Sequence, residues 1–129
     1  MKTVILLWQY PHQEKYIQPF VSDAIGQGFT NFLSIIPLTM NNQYGQVGLV
    51  CSFGCDSVEN FPDNLFQSEE ISLVKNPLEW ICERADLAIA VWDGADDTMQ
   101  KSLAYIIAWG TPGYYFNPER CVVESLQEL

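Results

Sequence analysis

Basic residues are scarce in this chain. Six Lys and Arg stand against sixteen Asp and Glu over 129 residues, for a net charge of −10. That balance excludes direct nucleic-acid binding through phosphate neutralisation and disfavours anionic membranes. Histidine occurs once, as His12. The four cysteines, Cys51, Cys55, Cys82 and Cys121, form one close pair with no second pair to match it. A tetrahedral zinc site would need all of them to converge, so no metal is expected. Long apolar stretches are missing too, and nothing approaches the roughly 20 residues of a membrane span. The run from Thr3 to Trp8 is too short for a signal-peptide apolar region with its cleavage site. The expectation is a soluble, cytoplasmic protein whose thiols stay reduced.

What is present suits a packed core. The chain is 48% hydrophobic and 17% charged, which is globular rather than disordered. Its length allows one domain, residues 1–129, with a sizeable core. Four Trp, six Tyr and seven Phe exceed what so small a core readily absorbs, which leaves some for a pocket or an interface. Acidic residues concentrate between Asp56 and Asp97, where Lys75 and Arg84 are the only basic residues. A solvated face explains that run, and a surface for a basic protein partner is the alternative.

Val4 to Trp8 is uninterrupted apolar sequence, the pattern of a central strand covered on both faces. Ile17, Phe20, Val21, Ala24, Ile25 and Gly28 then recur at helical spacing, with Pro19 either kinking the helix or lying in its first turn. Phe32–Ile36 reads as a second buried strand and Val47–Phe53 as a third. Only about ten residues join these two, so an antiparallel hairpin is at least as good a reading as a crossover. Gly54–Glu70 reads as an acidic loop or lid. Asn76-Pro77-Leu78-Glu79 predicts a capped helix start, Asn76 as cap and Glu79 as capping-box acid. Leu87–Trp92 is another buried run, and Thr98 is positioned to cap a helix carrying Met99, Leu103, Ile106 and Ile107 inward. Gly110 ends that helix, Tyr114–Phe116 is a strand, and the tail holds a short strand or helical turn. Strand–helix–strand units at both ends predict a three-layer α/β domain with a mainly parallel sheet, Val4–Trp8 and Leu87–Trp92 being central neighbours.

The stretch from Ala85 to Pro112 resembles the closing unit of the SLOG superfamily of Rossmann-like proteins, which includes DprA-like and YpsA-like domains and is related to the nucleoside deoxyribosyltransferases. The residues carrying the resemblance are Val91-Trp92-Asp93-Gly94, Thr98, Ala104 and Gly110-Thr111-Pro112, with Gly28–Leu33 similar to the family's helix-to-second-strand junction. The resemblance implies a Rossmann-like fold and a nucleotide-type ligand, with no cofactor. Two departures bear on chemistry. The turn after the first strand is Gln9-Tyr10-Pro11-His12, which lacks the family's glycine, and Asp97 replaces the glycine of the Gly-Thr turn, where it would repel phosphate. The transferase-type nucleophilic Glu falls at Ser102, so the resemblance implies no catalytic residue and favours binding over turnover.

Ligands of parallel α/β sheets gather at the carboxyl ends of strands near the switch point. The residues there are Gln9, Tyr10 and His12; Thr39 and Asn41; and Asp93, Gly94, Asp97 and Thr98. The leading expectation is binding or sequestration of a nucleotide or nucleotide-derived signal, as in a phage or mobile-element protein acting on a host signal. One alternative is an N-glycosidase or deoxyribosyltransferase-like enzyme using Asp93, Asp97 or Glu83. The other is an acidic protein-interaction module. Trp80, Trp109, Tyr105 and Tyr44 are the surplus aromatics that would bury a homo-oligomer interface.

Overall fold

A computed structural model describes residues 2–8, 10–35, 47–55, 59 and 70–128. These build one seven-stranded sheet in the order β4-β3-β2-β1-β5-β6-β7. Its strands are β1 (Thr3–Leu7), β2 (Asn31–Ile35), β3 (Val47–Gly54), β4 (Glu70–Lys75), β5 (Leu87–Val91), β6 (Gly113–Asn117) and β7 (Val122–Ser125). The helices are α1 (Gln18–Gly26), α2 (Pro77–Arg84) and α3 (Asp97–Trp109), with 3-10 helices at Pro11–Tyr16 and Leu126–Glu128.

The two uninterrupted apolar runs are central neighbours, as their patterning predicts. β1 pairs in parallel with β2 on one side and β5 on the other, with Ile5 opposite Leu33 and Ala88. All five β1 side chains are buried, because both faces of the sheet are covered. β5 also pairs in parallel with β6, so four parallel strands form the centre. β3, β4 and β7 add antiparallel flanks. The antiparallel β2–β3 pairing decides between the two connections that the sequence leaves open.

Strand alternation divides the core into two layers. Val4, Leu6, Phe32, Ile89 and Val91 face α1 and the first 3-10 helix, meeting Ile17, Val21 and Ala24. Ile5, Leu7, Leu33, Ala88 and Ala90 face α2 and α3, meeting Ile81, Met99, Leu103 and Ile106. The arrangement is three-layered and Rossmann-like. The chain leaves β1 toward β2 over one face and leaves β5 toward β6 over the other, so the sheet order reverses between β1 and β5.

Several local expectations are settled or corrected. Pro19 occupies the first turn of α1, and Gly28 follows the helix at φ +95°. Asn76 does not cap α2: its φ/ψ of 51°/70° is left-handed and its side chain makes no capping bond, so Glu79 completes no capping box. Asn tolerates that region better than other non-glycine residues. Thr98 does not cap α3. Asp96 does, with extended φ/ψ of −71°/122° and Oδ1 accepting from the Met99 amide at 2.9 Å. Glu70 opens β4 rather than ending a loop. Most of the acidic segment between β3 and β4 lies outside the described residues.

Candidate functional site

The carboxyl ends of β1 and β5 lie side by side at the sheet reversal, the place where open α/β sheets leave a crevice. A cleft of about 350 Å³ opens there. This is at the small end of the roughly 300–1,000 Å³ typical of small-molecule sites. Tyr10, His12 and Asp93 line it, joined by Gln13, Tyr16, Pro118 and Glu119.

Each wall has a local cause. After β1 the chain turns into the first 3-10 helix, where Gln13 folds back. Its amide donates to the Tyr10 carbonyl at 2.9 Å, and its Oε1 accepts from the Tyr10 amide at 3.2 Å. Gln13 is buried, so this pairing fixes the turn while leaving Tyr10 43% exposed. The Tyr10 and His12 rings stack at 5.7 Å with an interplanar angle of 11°.

After β5, buried Trp92 anchors the next wall. Its Nε1 donates to the Asp96 carbonyl at 3.1 Å, and its ring packs edge-on against Tyr115. Between them Asp93 forms a tight turn, its Oδ1 accepting from the amides of Ala95 at 2.8 Å and Asp96 at 3.0 Å. Gly94 takes the positive φ of +86° this turn needs. The Tyr10 hydroxyl donates to Asp96 Oδ2 at 3.4 Å, joining the two walls. The Asp96 carboxylate, then burial, and lastly Asp93 raise the Tyr10 phenol above its ordinary pKa.

The third wall is the turn from β6 to β7. Buried Asn117 accepts at Oδ1 from the amides of Glu119 at 3.0 Å and Arg120 at 3.2 Å, and donates from Nδ2 to the Asp93 carbonyl at 3.4 Å. One amide side chain therefore positions Pro118 and Glu119 against Asp93.

Of the residues singled out from sequence, Tyr10, His12 and Asp93 meet in the cleft. Gly94 shapes the Asp93 turn, and Asp97 is an exposed residue in the first turn of α3. Thr98 is half-buried, and its carbonyl accepts from buried Ser102 at 3.1 Å. Gln9, Thr39 and Asn41 lie outside the described residues, as does Tyr44. Sequence reading missed Gln13, Tyr16, Asp96, Asn117, Pro118 and Glu119. The Asn-Pro pair at 117–118 is a turn signal, but its contact with Asp93 spans 24 residues and leaves no local trace.

Chemically the cleft offers ring faces and carboxylates. Asp96 caps the Met99 amide and, with Asp97, places carboxylate charge at the N-terminus of α3, which disfavours an anion at this helix end. Among the described residues no three His, Cys, Asp or Glu side chains gather as a metal-ligand set, and no helix is long and apolar enough to cross a membrane. Comparison of the chain with protein-family profiles, curated proteins and solved structures returned no match.

Proposed function

We propose that this chain binds the nucleoside portion of a nucleotide or nucleotide-derived signal where β1 and β5 end, holding it rather than turning it over. The observation that carries this reading is the meeting of the stacked Tyr10–His12 pair with Asp93 in one cleft at the sheet reversal. Exposed ring faces stack on a base. Asp93 spends Oδ1 on its own turn, leaving Oδ2 to accept from a ribose diol or base amine. Phosphates point away from α3, whose N-cap is Asp96 and whose first turn carries Asp97. The resemblance of Val91–Gly94 and Gly110–Pro112 to the SLOG superfamily supports the same ligand class. Ser102, at the transferase nucleophile position, is buried and bonded within α3, which favours holding over turnover. Sequestration of a host signal by a phage or mobile-element protein fits this reading.

Calorimetric titration with the four ribonucleosides and their 5′-monophosphates tests it. A nucleoside binds, its monophosphate binds no tighter, and Asp93→Ala weakens binding roughly tenfold to a hundredfold by removing charge-assisted hydrogen bonds. Binding that requires the phosphate, or an Asp93→Ala variant equal to the parent, overturns the reading.

A second surface supports a compatible role in assembly. On α3, Tyr105 and Trp109 are exposed and stack at 6.2 Å, and on α2 the Arg84 guanidinium lies 3.9 Å over Trp80. Glu79 and Glu83 lie close enough to raise the Tyr105 phenol, after burial as the larger cause. This face suits a second copy of the chain or a basic protein partner. Light scattering at high micromolar concentration finds a dimer that Trp109→Ala dissociates; a monomer removes the homo-oligomer.

A further inference from the structure

We infer that the base this cleft takes is positively charged, as in a nucleoside whose ring nitrogen is alkylated. The inference rests on the nucleoside reading above and narrows it. The lining carries two carboxylates, Asp93 and Glu119, and three aromatic rings, Tyr10, His12 and Tyr16, with no Lys or Arg among them. Lys15 and Arg120, the adjacent basic residues in sequence, are exposed and line no part of it. Asp96 adds a third carboxylate behind Tyr10, whose hydroxyl it accepts. Asp96 is the largest cause of the upward shift of the Tyr10 phenol, ahead of burial and Asp93, in keeping with a negative field at that ring edge.

One lining ring, Tyr16, is already engaged by a cation of the chain itself, so the rings open to a ligand are Tyr10 and His12. The Lys15 ammonium lies 5.1 Å over the Tyr16 ring, at the distance where a ring quadrupole attracts positive charge. A neutral base on Tyr10 and His12 gains stacking alone. A cationic base of the same shape gains stacking, the attraction of the ring faces, and the field of two carboxylates in a partly desolvated cleft. Glu119 is exposed on the β6–β7 turn and makes no demand on the core, so its charge is available to the ligand.

Calorimetry on the full chain at neutral pH, with isomeric nucleoside pairs differing in charge, tests the inference. The purine pair is 1-methyladenosine, a cation, and N6-methyladenosine, which is neutral. The pyrimidine pair is 3-methylcytidine, a cation, and 5-methylcytidine, which is neutral. In at least one pair the cation binds about tenfold tighter, and the ratio shrinks with added salt. Glu119→Gln brings the ratio toward one, and Tyr10→Leu lowers it further by removing the ring face. Neutral isomers that bind as tightly as their cations overturn the charge preference and leave the nucleoside reading standing. Absence of binding by all four compounds and by the unmodified nucleosides overturns both.

Discussion

Replacing Asp96 with Ala separates two accounts of how α3 begins. The cap bond from the Met99 amide is lost, at about 1 kcal/mol within a range of roughly 0.5–2. A negative charge also leaves the helix N-terminus, worth about 0.3–1 kcal/mol. Relief of repulsion among Asp93, Asp96 and Asp97 returns a few tenths. The exposed Tyr10 bond at 3.4 Å adds little. The net destabilisation is about 1.5 kcal/mol. With an unfolding entropy of roughly 270 cal/mol/K for 129 residues, the melting midpoint falls by about 5 °C. Urea titration should show a lower midpoint with an unchanged slope, and Asp96→Ser should recover most of the loss. Thr98→Ala is the control. In the first turn rather than at the cap, Ala is the better helix former and the change is neutral or slightly stabilising. If Thr98→Ala costs more than Asp96→Ala, the helix starts at Thr98 and the geometry of the Asp93–Asp96 turn is wrong.

Gly113 pairs with Ala88, and a Cβ there would press on the Ala88 carbonyl oxygen and lie 3.0 Å from its Cβ. Gly113→Ala should therefore cost about 1–3 kcal/mol in urea titration, and a parent-like midpoint would refute the β5–β6 register. Cys51, Cys55 and Cys82 are buried while Cys121 is exposed, so one thiol should react quickly with a disulfide reagent and the other three only on unfolding; Cys121→Ser should abolish the fast phase. Burial, then the hydrogen bond to Glu124, pushes Tyr115 up to about 12, and burial, then Asp23, does the same for Tyr114. The folded state thus holds these protons more tightly than the unfolded chain does. The contribution is fully present below about pH 10 and is lost as pH rises toward 12, so the urea midpoint should fall between about pH 10 and 12, and less so in Tyr114→Phe.

The centre of the fold was legible because burial on both sides imposes a composition. Val4–Trp8 and Leu87–Trp92 have no polar alternation, and only a doubly covered strand tolerates that. β4 carries no such mark. It lies at the sheet edge with Ser72, Leu73 and Lys75 exposed, so Glu70–Lys75 reads as easily as loop. The start of α3 offered Asp93, Asp96, Asp97 and Thr98 within six residues, each able to cap. Backbone angles and the Trp92 bond to the Asp96 carbonyl make the choice; both are close in sequence, but they follow from how buried Trp92 packs at the end of β5, which residue type alone does not show. The meeting of Tyr10, His12 and Asp93 followed from strand order alone. Glu119 did not, because it reaches the cleft through a hairpin whose position depends on Asn117.

That dependence makes the wall of the cleft modular. Asn117 ends β6, and the four residues from Pro118 to Cys121 form a detachable tip that contributes a wall of the cleft and nothing to either buried layer. Exchanging the tip while keeping Asn117 changes what the cleft faces and spares the parallel strands that hold the chain together. The lining of this wall and the folding core are thereby written in different residues, and a library of tip sequences could vary one without eroding the other.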